Sequence, residues 1–331
     1  MSISYNFLNV KLQGESLMKK IKMSATKTMT FEEGCNKYLE YCRQRNLREG
    51  TIRHYRQSYL HFYKYFDPKM PVEDINEQTY KDYVLHSKST LNNDVSINSY
   101  LRDLITTWHF FMNEGWLPHF KMQAIKVDKS HIETYTEQEL QLLLKKPNIK
   151  KCSFTEYQYW VITNFLFSTG VRQRSLMHIQ IKDLDFDNNV VHINVTKNRK
   201  SLIVPLNQTM VNILVEYLKY RQYKSNDDYL FCNIFGQQLV KGTCYHMLYE
   251  YNKRRGVEAT GIHRYRHTFA KQWILNGGNV VSLSKLLGHS SLDITQNYIR
   301  LLVSDVAKQV DEFNVLDKFY GKKRIGMRGH S

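Results

Sequence analysis

The chain has 331 residues, 42% of them hydrophobic, which suits one large or two ordinary folded domains and excludes a disordered polymer. Its 47 Lys and Arg outweigh 31 Asp and Glu, and the net charge of +16 points to a polyanionic partner, nucleic acid or an anionic surface. No apolar run approaches the roughly 18 residues of a membrane span, and the five cysteines (Cys35, Cys42, Cys152, Cys232, Cys244) lack C-x-x-C pairing, which argues against zinc and disulfides and fits reduced thiols in the cytoplasm.

Residues 1–27 read as a flexible N-terminal segment. From Thr28, "TFEEGCNKYLEYCRQRN" puts Phe31, Cys35, Tyr38, Leu39 and Cys42 on one helical stripe. "TIRHYRQSYLHFYKYF" repeats the pattern with Ile52, Tyr55, Tyr59, Phe62 and Phe66, until Pro68 and Pro71 break it. Two more helices follow, in "INEQTYKDYVLHS" and "VSINSYLRDLITTWHFFMNEGW", and Gly115 and Pro118 close the last. Residues 28–120 are therefore expected to form a four-to-five-helix domain. Arg43, Arg45, Arg48, Arg53, Arg56 and Lys64 fall on its outward side. Each alone reads as a solvated charge; the arginine cluster as a whole is the candidate DNA-binding face. The aromatic run "YLHFYKYF" has two readings, base stacking and core packing, and core packing is favoured.

Residues 121–133 have no clear period and are expected to be a linker. A second, larger domain is expected over residues 134–318, mostly helical with one small antiparallel sheet. Thr136 and Glu139 make a capping box at its start. An apolar helix in "YQYWVITNFLF" ends at a Thr-Gly break, and a second helical piece follows. "VVHINVTKNRKSLIVPL" changes to period two and predicts a hairpin with lysine in its tip. Helices are then expected over 208–224, 240–255, 263–276, 279–287 and 291–301. Leu302, Val306, Val310 and Phe313 give the next stretch an amphipathic pattern, and residues 319–331 read as a basic tail.

Four islands in this second domain carry reactive side chains. Arg172 follows a glycine break, and Lys197 lies in the hairpin turn. His263 and Arg266 share a helical face, with His267 one turn on. Gly288 is placed to end one helix, His289 to sit in the turn, and Tyr298 to lie two turns into the next helix. Two arginines, a lysine, histidines and a tyrosine suit phosphoryl transfer. Paired guanidiniums can fork onto the non-bridging oxygens and take the place of a magnesium clamp. A tyrosine with a pKa near 10 needs cations or a base to become a nucleophile, and an alkoxide leaving group needs a proton donor.

The order "TGVR", a hairpin lysine eight residues before Pro205, "HRYRH", and "LLGH" with a tyrosine nine residues beyond its histidine resembles the signature of the tyrosine recombinases. That family includes phage integrases, Xer-type resolvases and transposon integrases. The resemblance is strong over about residues 135–305 and weaker over the helical segment before it, which is similar to the family's SAM-like core-binding domain. It implies a tyrosine-recombinase catalytic domain in which Arg172 and Arg266 bind the scissile phosphate. Lys197 would protonate the leaving 5′ oxygen, His263 would act as the base toward the tyrosine, and His289 would hydrogen-bond the phosphate. Tyr298 would attack to form a 3′-phosphotyrosine, with His267 supporting; the alternatives are a DNA-binding protein that shares the fold without catalysis and a type IB topoisomerase-like relaxing enzyme. Lys200 is a further candidate DNA contact; it and Lys182 are also alternatives for the hairpin lysine, and the spacing to Pro205 favours Lys197. The resemblance implies no cofactor, neither metal nor ATP. It implies double-stranded DNA with inverted core repeats as partner, a homotetramer on synapsed DNA with C-terminal exchange between protomers, an accessory directionality factor, and a cytoplasmic, nucleoid-associated bacterial location. One position departs from the pattern: Ser175 stands where the family has an acidic residue that buttresses the first arginine, with Asp183 or Asp185 as candidate replacements.

Overall fold

The computed structural model describes residues 28–127, 132–196, 200–289 and Thr295. The chain divides into two compact units that part between Lys129 and Ser130.

The first unit is built from α1 (Phe31–Gln44), α2 (Glu49–Phe62), α3 (Glu77–Thr90) and α4 (Asp94–Asn113), with a 3-10 turn at Val72–Asp74. The starts of α1, α3 and α4 are set by side chains that accept otherwise unpaired backbone N–H groups. Thr30 and Glu33 form a reciprocal capping box on α1, and Asn76 and Asn93 cap α3 and α4. The stripe Phe31, Cys35, Tyr38, Leu39 and Cys42 is buried as its spacing predicts. Phe31 meets Tyr63, Phe66 and Phe111 edge-on with centroids 5.9, 5.5 and 6.4 Å away, the geometry that aligns ring edges with ring faces. The run from Tyr59 serves the core: Tyr59, Phe62 and Phe66 are all buried. A polar clip runs from this packing out to the surface. Ser58 donates to Asp103, and His54 Nε2 lies 2.9 Å from the same carboxylate oxygen, so α2 is tied to α4.

The chain stays attached to this core after α4. Leu117 is buried, Tyr80 donates to the Gln123 carbonyl at 2.8 Å, and Asn98 donates to the Ile125 carbonyl at 2.8 Å. The segment expected as linker from residue 121 thus runs against the first unit as far as Ile125. Arg43, Arg45, Arg53 and Arg56 are exposed and Arg48 is partly exposed. They cluster around the connection from α1 to α2, where the Arg45 guanidinium lies over the Tyr41 ring.

The second unit contains α5 (Glu137–Leu144), α6 (Phe154–Thr169), the short α7 (Gln173–Leu176), α8 (Gln208–Tyr220), α9 (Lys241–Arg254), α10 (Ile262–Leu275) and α11 (Val280–Leu287). The predicted Thr136–Glu139 capping box opens α5. Helix α6 is buried along most of its length, chiefly between Tyr157 and Leu166 and again at Thr169, and α5, α8, α9 and α10 pack on it.

The sheet has three antiparallel strands in the order β1 (Leu184–Asp185), β2 (Val190–Ile193) and β3 (Leu202–Pro205), with Val191 paired to Val204 and Leu184 to Val191. The β2–β3 hairpin was expected and β1 was not: two residues are too few to carry a period. The helix expected over 208–224 stops at Tyr220. Arg221 leaves helical geometry there, and its buried guanidinium donates to the Tyr229 carbonyl at 3.1 Å, spending its length on the following loop. Among the described residues no helix is long and apolar enough to cross a membrane.

Candidate active site

The site grows from helix ends. Helix α6 stops at Gly170, whose left-handed φ of 60° a residue with a Cβ adopts only with strain. A Cβ there would also lie 2.5 Å from Phe269 and 2.8 Å from Leu287, so α10 and α11 close directly onto this turn. Two residues later Arg172 sits at the N-cap of α7. Helix α11 ends in the same manner, at Gly288 with φ 58°. That leaves the last carbonyls of α11 without helical partners, at the end where the helix dipole is negative.

Both candidate phosphate-binding arginines use those carbonyls. Arg266, buried at 5% exposure, donates Nη2 to the Leu287 carbonyl at 2.8 Å and Nη1 to the Gly170 carbonyl at 2.8 Å. Arg172 Nη1 reaches the same Leu287 oxygen at 3.3 Å and the Gly288 oxygen at 3.5 Å. Two guanidiniums are therefore drawn to one oxygen, although like charges repel. The back of α10 is equally fixed. Tyr265 donates to Asn252 at 2.6 Å, Asn252 donates to Tyr135 at 2.8 Å, and Thr268 accepts from the Tyr135 amide at 2.9 Å.

Arg172, Arg266, His289 and Lys200 line one cleft of about 380 Å³, with Ser175 and Thr196 in its wall. Burial, reinforced by the charges in it, decides the protonation of the histidines. His289 is held down at about 4 by burial first, then by Arg266, Arg172 and His267. His267 is also pushed down to about 4, by burial and then by His263 and Arg266. His263 keeps part of its ring in solvent, yet burial of the rest is the largest cause of its lowered pKa, ahead of Arg266, Arg172 and Lys241. All three are thus neutral near pH 7, and His263 is available as a base. Positive charge concentrated on two fixed guanidiniums beside neutral imidazoles is an arrangement that receives an anion without rearranging.

A family profile described as "Phage integrase family" matches residues 133–304, and one described as "Phage integrase SAM-like domain" matches residues 30–132. The chain belongs to the phage integrase family. It is an enzyme of the tyrosine recombinase class, the family of site-specific recombination. The tyrosine recombinase XerD of Listeria monocytogenes is 26% identical over 285 residues, covering 80% of this chain and 94% of that relative. The tyrosine recombinase XerA of Pyrococcus furiosus is 27% identical over 204 residues, covering 61% of this chain and 68% of that relative. The fold is that of the Tn1549 transposon integrase in complex with circular intermediate DNA (TM-score 0.65, 20% identity, 82% of this chain and 95% of that one). It is also that of a lambda integrase dimer bound to a COC′ core site (TM-score 0.66, 16% identity, 82% of this chain and 95% of that one).

In this integrase-family chain, Lys197 and Tyr298 lie outside the described residues, so the cleft is seen from its arginine and histidine side. Of the two other lysines weighed for the hairpin role, Lys182 is paired with Asp227 at 2.6 Å, whereas Lys200 lines the cleft. The acidic position now has an account. Ser175, 7% exposed, donates to the Val195 carbonyl at 2.8 Å and fastens α7 to the segment leaving β2. Asp183 accepts from the Gln180 amide at 2.8 Å and from Asn194 at 2.8 Å, and Asp185 caps the turn at Asn188. Both carboxylates are engaged within the sheet region, while main-chain carbonyls receive Arg172.

Sequence reasoning missed three participants. Lys241, at the first position of α9, adds to the field on His263, and Gln173 donates to its carbonyl at 2.8 Å. Thr295 lies 2.8 Å from His289 Nδ1. The carbonyl of Leu287 serves both arginines. The spacing of Thr295, six residues after His289, was a usable signal; the other two contacts had none.

Proposed function

We propose that this chain cuts and rejoins double-stranded DNA at inverted core repeats through a 3′-phosphotyrosine on Tyr298, resolving a Holliday junction within a homotetramer. The observation that carries the reading is the convergence of Arg172 and Arg266 on the Leu287 carbonyl in a cleft that also holds His289. A phosphodiester in flight spreads negative charge over its non-bridging oxygens, and two anchored guanidiniums meet that charge without a metal or ATP. Neutral His263 takes the proton of the Tyr298 hydroxyl as the tyrosine oxygen attacks phosphorus. The P–O bond to the 5′ oxygen breaks, and Lys197 supplies that oxygen's proton. His289 donates to a non-bridging oxygen. The bond energy is kept in the phosphotyrosine, so the reverse attack by a 5′ hydroxyl of another strand needs no external energy. The DNA-bound Tn1549 and lambda integrases, which share this fold, support duplex DNA as the substrate. The exposed arginines around the start of α2 are the proposed grip on the phosphate backbone.

The test is incubation with labelled, nicked duplex from the DNA flanking the gene, without metal, followed by a denaturing protein gel. A labelled band at the mass of protein plus DNA is expected, and it is lost in Tyr298→Phe. An unchanged band in that variant would assign the nucleophile elsewhere. Specific binding with no band would leave a DNA-binding protein without catalysis.

A further inference from the structure

Neutral imidazole has one donor and one acceptor nitrogen, and the partner of one nitrogen decides what the other can do. His289 is neutral and lines the cleft with both arginines. Its Nδ1 is not left to solvent: it lies 2.8 Å from Oγ1 of Thr295, a residue with 0% exposure. A main-chain carbonyl or carboxylate at that place would draw the ring proton to Nδ1 and leave a lone pair on Nε2. A lone pair facing an anionic phosphate oxygen is repelled. A hydroxyl differs because it can donate. When it does, Nδ1 becomes the acceptor and Nε2 carries the proton. The burial of Thr295 removes water as a competing partner for its hydroxyl, so the contact is made on a side where hydrogen bonds are strong.

We propose that Thr295 is a positioning residue for His289: its hydroxyl donates to Nδ1 and so assigns the imidazole proton to Nε2, the nitrogen left to bind the scissile phosphate. This rests on the reading of His289 as a phosphate donor. The hydroxyl also fixes the rotation of the ring, because the Nδ1 lone pair must point at a side chain held in the core. Thr295 touches no reacting atom; it acts through His289 alone.

Thr295→Val keeps the branched, buried shape and removes the donor, while Thr295→Ser keeps the donor. The rate of covalent complex formation on nicked DNA is expected to fall roughly 10–100-fold in Thr295→Val, by analogy with loss of the hydrogen-bond partner that orients a metal-bound imidazole. Thr295→Ser is expected to stay within a few fold of the parent. In a His289→Ala background, Thr295→Val is expected to cost nothing more, since a positioning residue has nothing left to position. Long-range ¹H–¹⁵N spectra of the full chain labelled at histidine are expected to show His289 protonated at Nε2 in the parent and in Thr295→Ser, and to lose that single form in Thr295→Val. An equal rate loss with and without the His289 imidazole would overturn the proposal in favour of plain core packing. So would an unaltered ring in Thr295→Val. If His289→Ala cleaved at the parent rate, the phosphate-donor reading would fail, and the spectra would still decide whether Thr295 sets the tautomer.

Discussion

The two units handle polar groups in opposite ways. In the first, buried Ser58 and Asp103 bond to each other between α2 and α4, exposed His54 closes the clip from the solvent side, and the arginines remain outside. In the second, polarity converges from helix ends toward a cleft, and a guanidinium is buried among main-chain carbonyls. A closed clip holds two helices together and offers nothing further. An arrangement that leaves cations gathered around a cavity is poised for a ligand. The same residue type, arginine, is therefore expected to do different work in the two regions.

The largest effect should separate them directly. Arg266→Ala removes the proposed transition-state donor, for which a loss of roughly 10²–10³-fold in the cleavage step is expected. It also takes the side-chain donor from the Gly170 carbonyl, at about 1–3 kcal/mol for a buried group left unsatisfied, and leaves the Leu287 carbonyl to Arg172. Arg56→Ala, on the exposed side of α2, should leave single-turnover cleavage at saturating DNA unchanged. It should lower the slope of log affinity against log salt by about 1. Equal effects of the two variants on single-turnover rate would break the comparison.

Glycines give the next contrast. Gly170→Ala meets both a left-handed backbone and contacts with Phe269 and Leu287 under 3 Å. Expected costs are about 1–2 kcal/mol for the backbone and about 1–3 kcal/mol for overpacking, read as a lower denaturant midpoint. Gly50, in α2, has nothing within 4 Å of an added Cβ. Its replacement by Ala is expected to stabilise the first unit by about 0.5 kcal/mol.

Protonation should tilt the two units in opposite senses. His267 and His289 bind protons at about 4 when folded and at their ordinary 6.5 when unfolded. Between those values the unfolded chain holds more protons, so stability of the second unit rises as pH climbs from about 4 to 6.5. Burial raises the Asp103 carboxyl above its ordinary 3.8, so its contribution to the first unit declines as pH climbs past that value. Hydrogen exchange of core amides in each unit against pH reads the two slopes separately, and His289→Gln should flatten the rise in the second.

Ser175 sharpens the comparison at the smallest scale. Loss of its bond to Val195 in Ser175→Ala should cost about 0.5–1.5 kcal/mol. Ser175→Glu should be worse than Ser175→Ala, because an ionised carboxylate cannot donate to a carbonyl and is costly to bury. A gain of activity in Ser175→Glu would mean that Arg172 needs an acidic buttress after all.

How much of this was written in the letters follows from what a letter can carry. The helices of both units were legible because stripes such as Phe31, Cys35, Tyr38 and Leu39 recur at helical spacing, and because caps such as Thr136 and Glu139 announce a start. That Arg172, Arg266 and His289 share one cleft was foreshadowed by the order of their islands. What holds that site was not. Gly170 and Leu287 act through carbonyl oxygens that every residue possesses, so no residue type marks them. Strand β1 was too short for a pattern, and Arg221 ended α8 by a long-range contact. The partner of Ser175 lies twenty residues away in sequence and depends on where the hairpin folds back.

The Leu287 carbonyl is a shared fastening, and shared fastenings fail together. Where α11 stops is set by Gly288, the residue just before His289. Were the helix to run on by a single turn, that oxygen would return to its own ladder and both arginines would lose an acceptor at once. In an integrase built this way the two guanidiniums are not independent: a disturbance confined to one helix terminus loosens both together, and Arg266 then keeps its bond with Gly170.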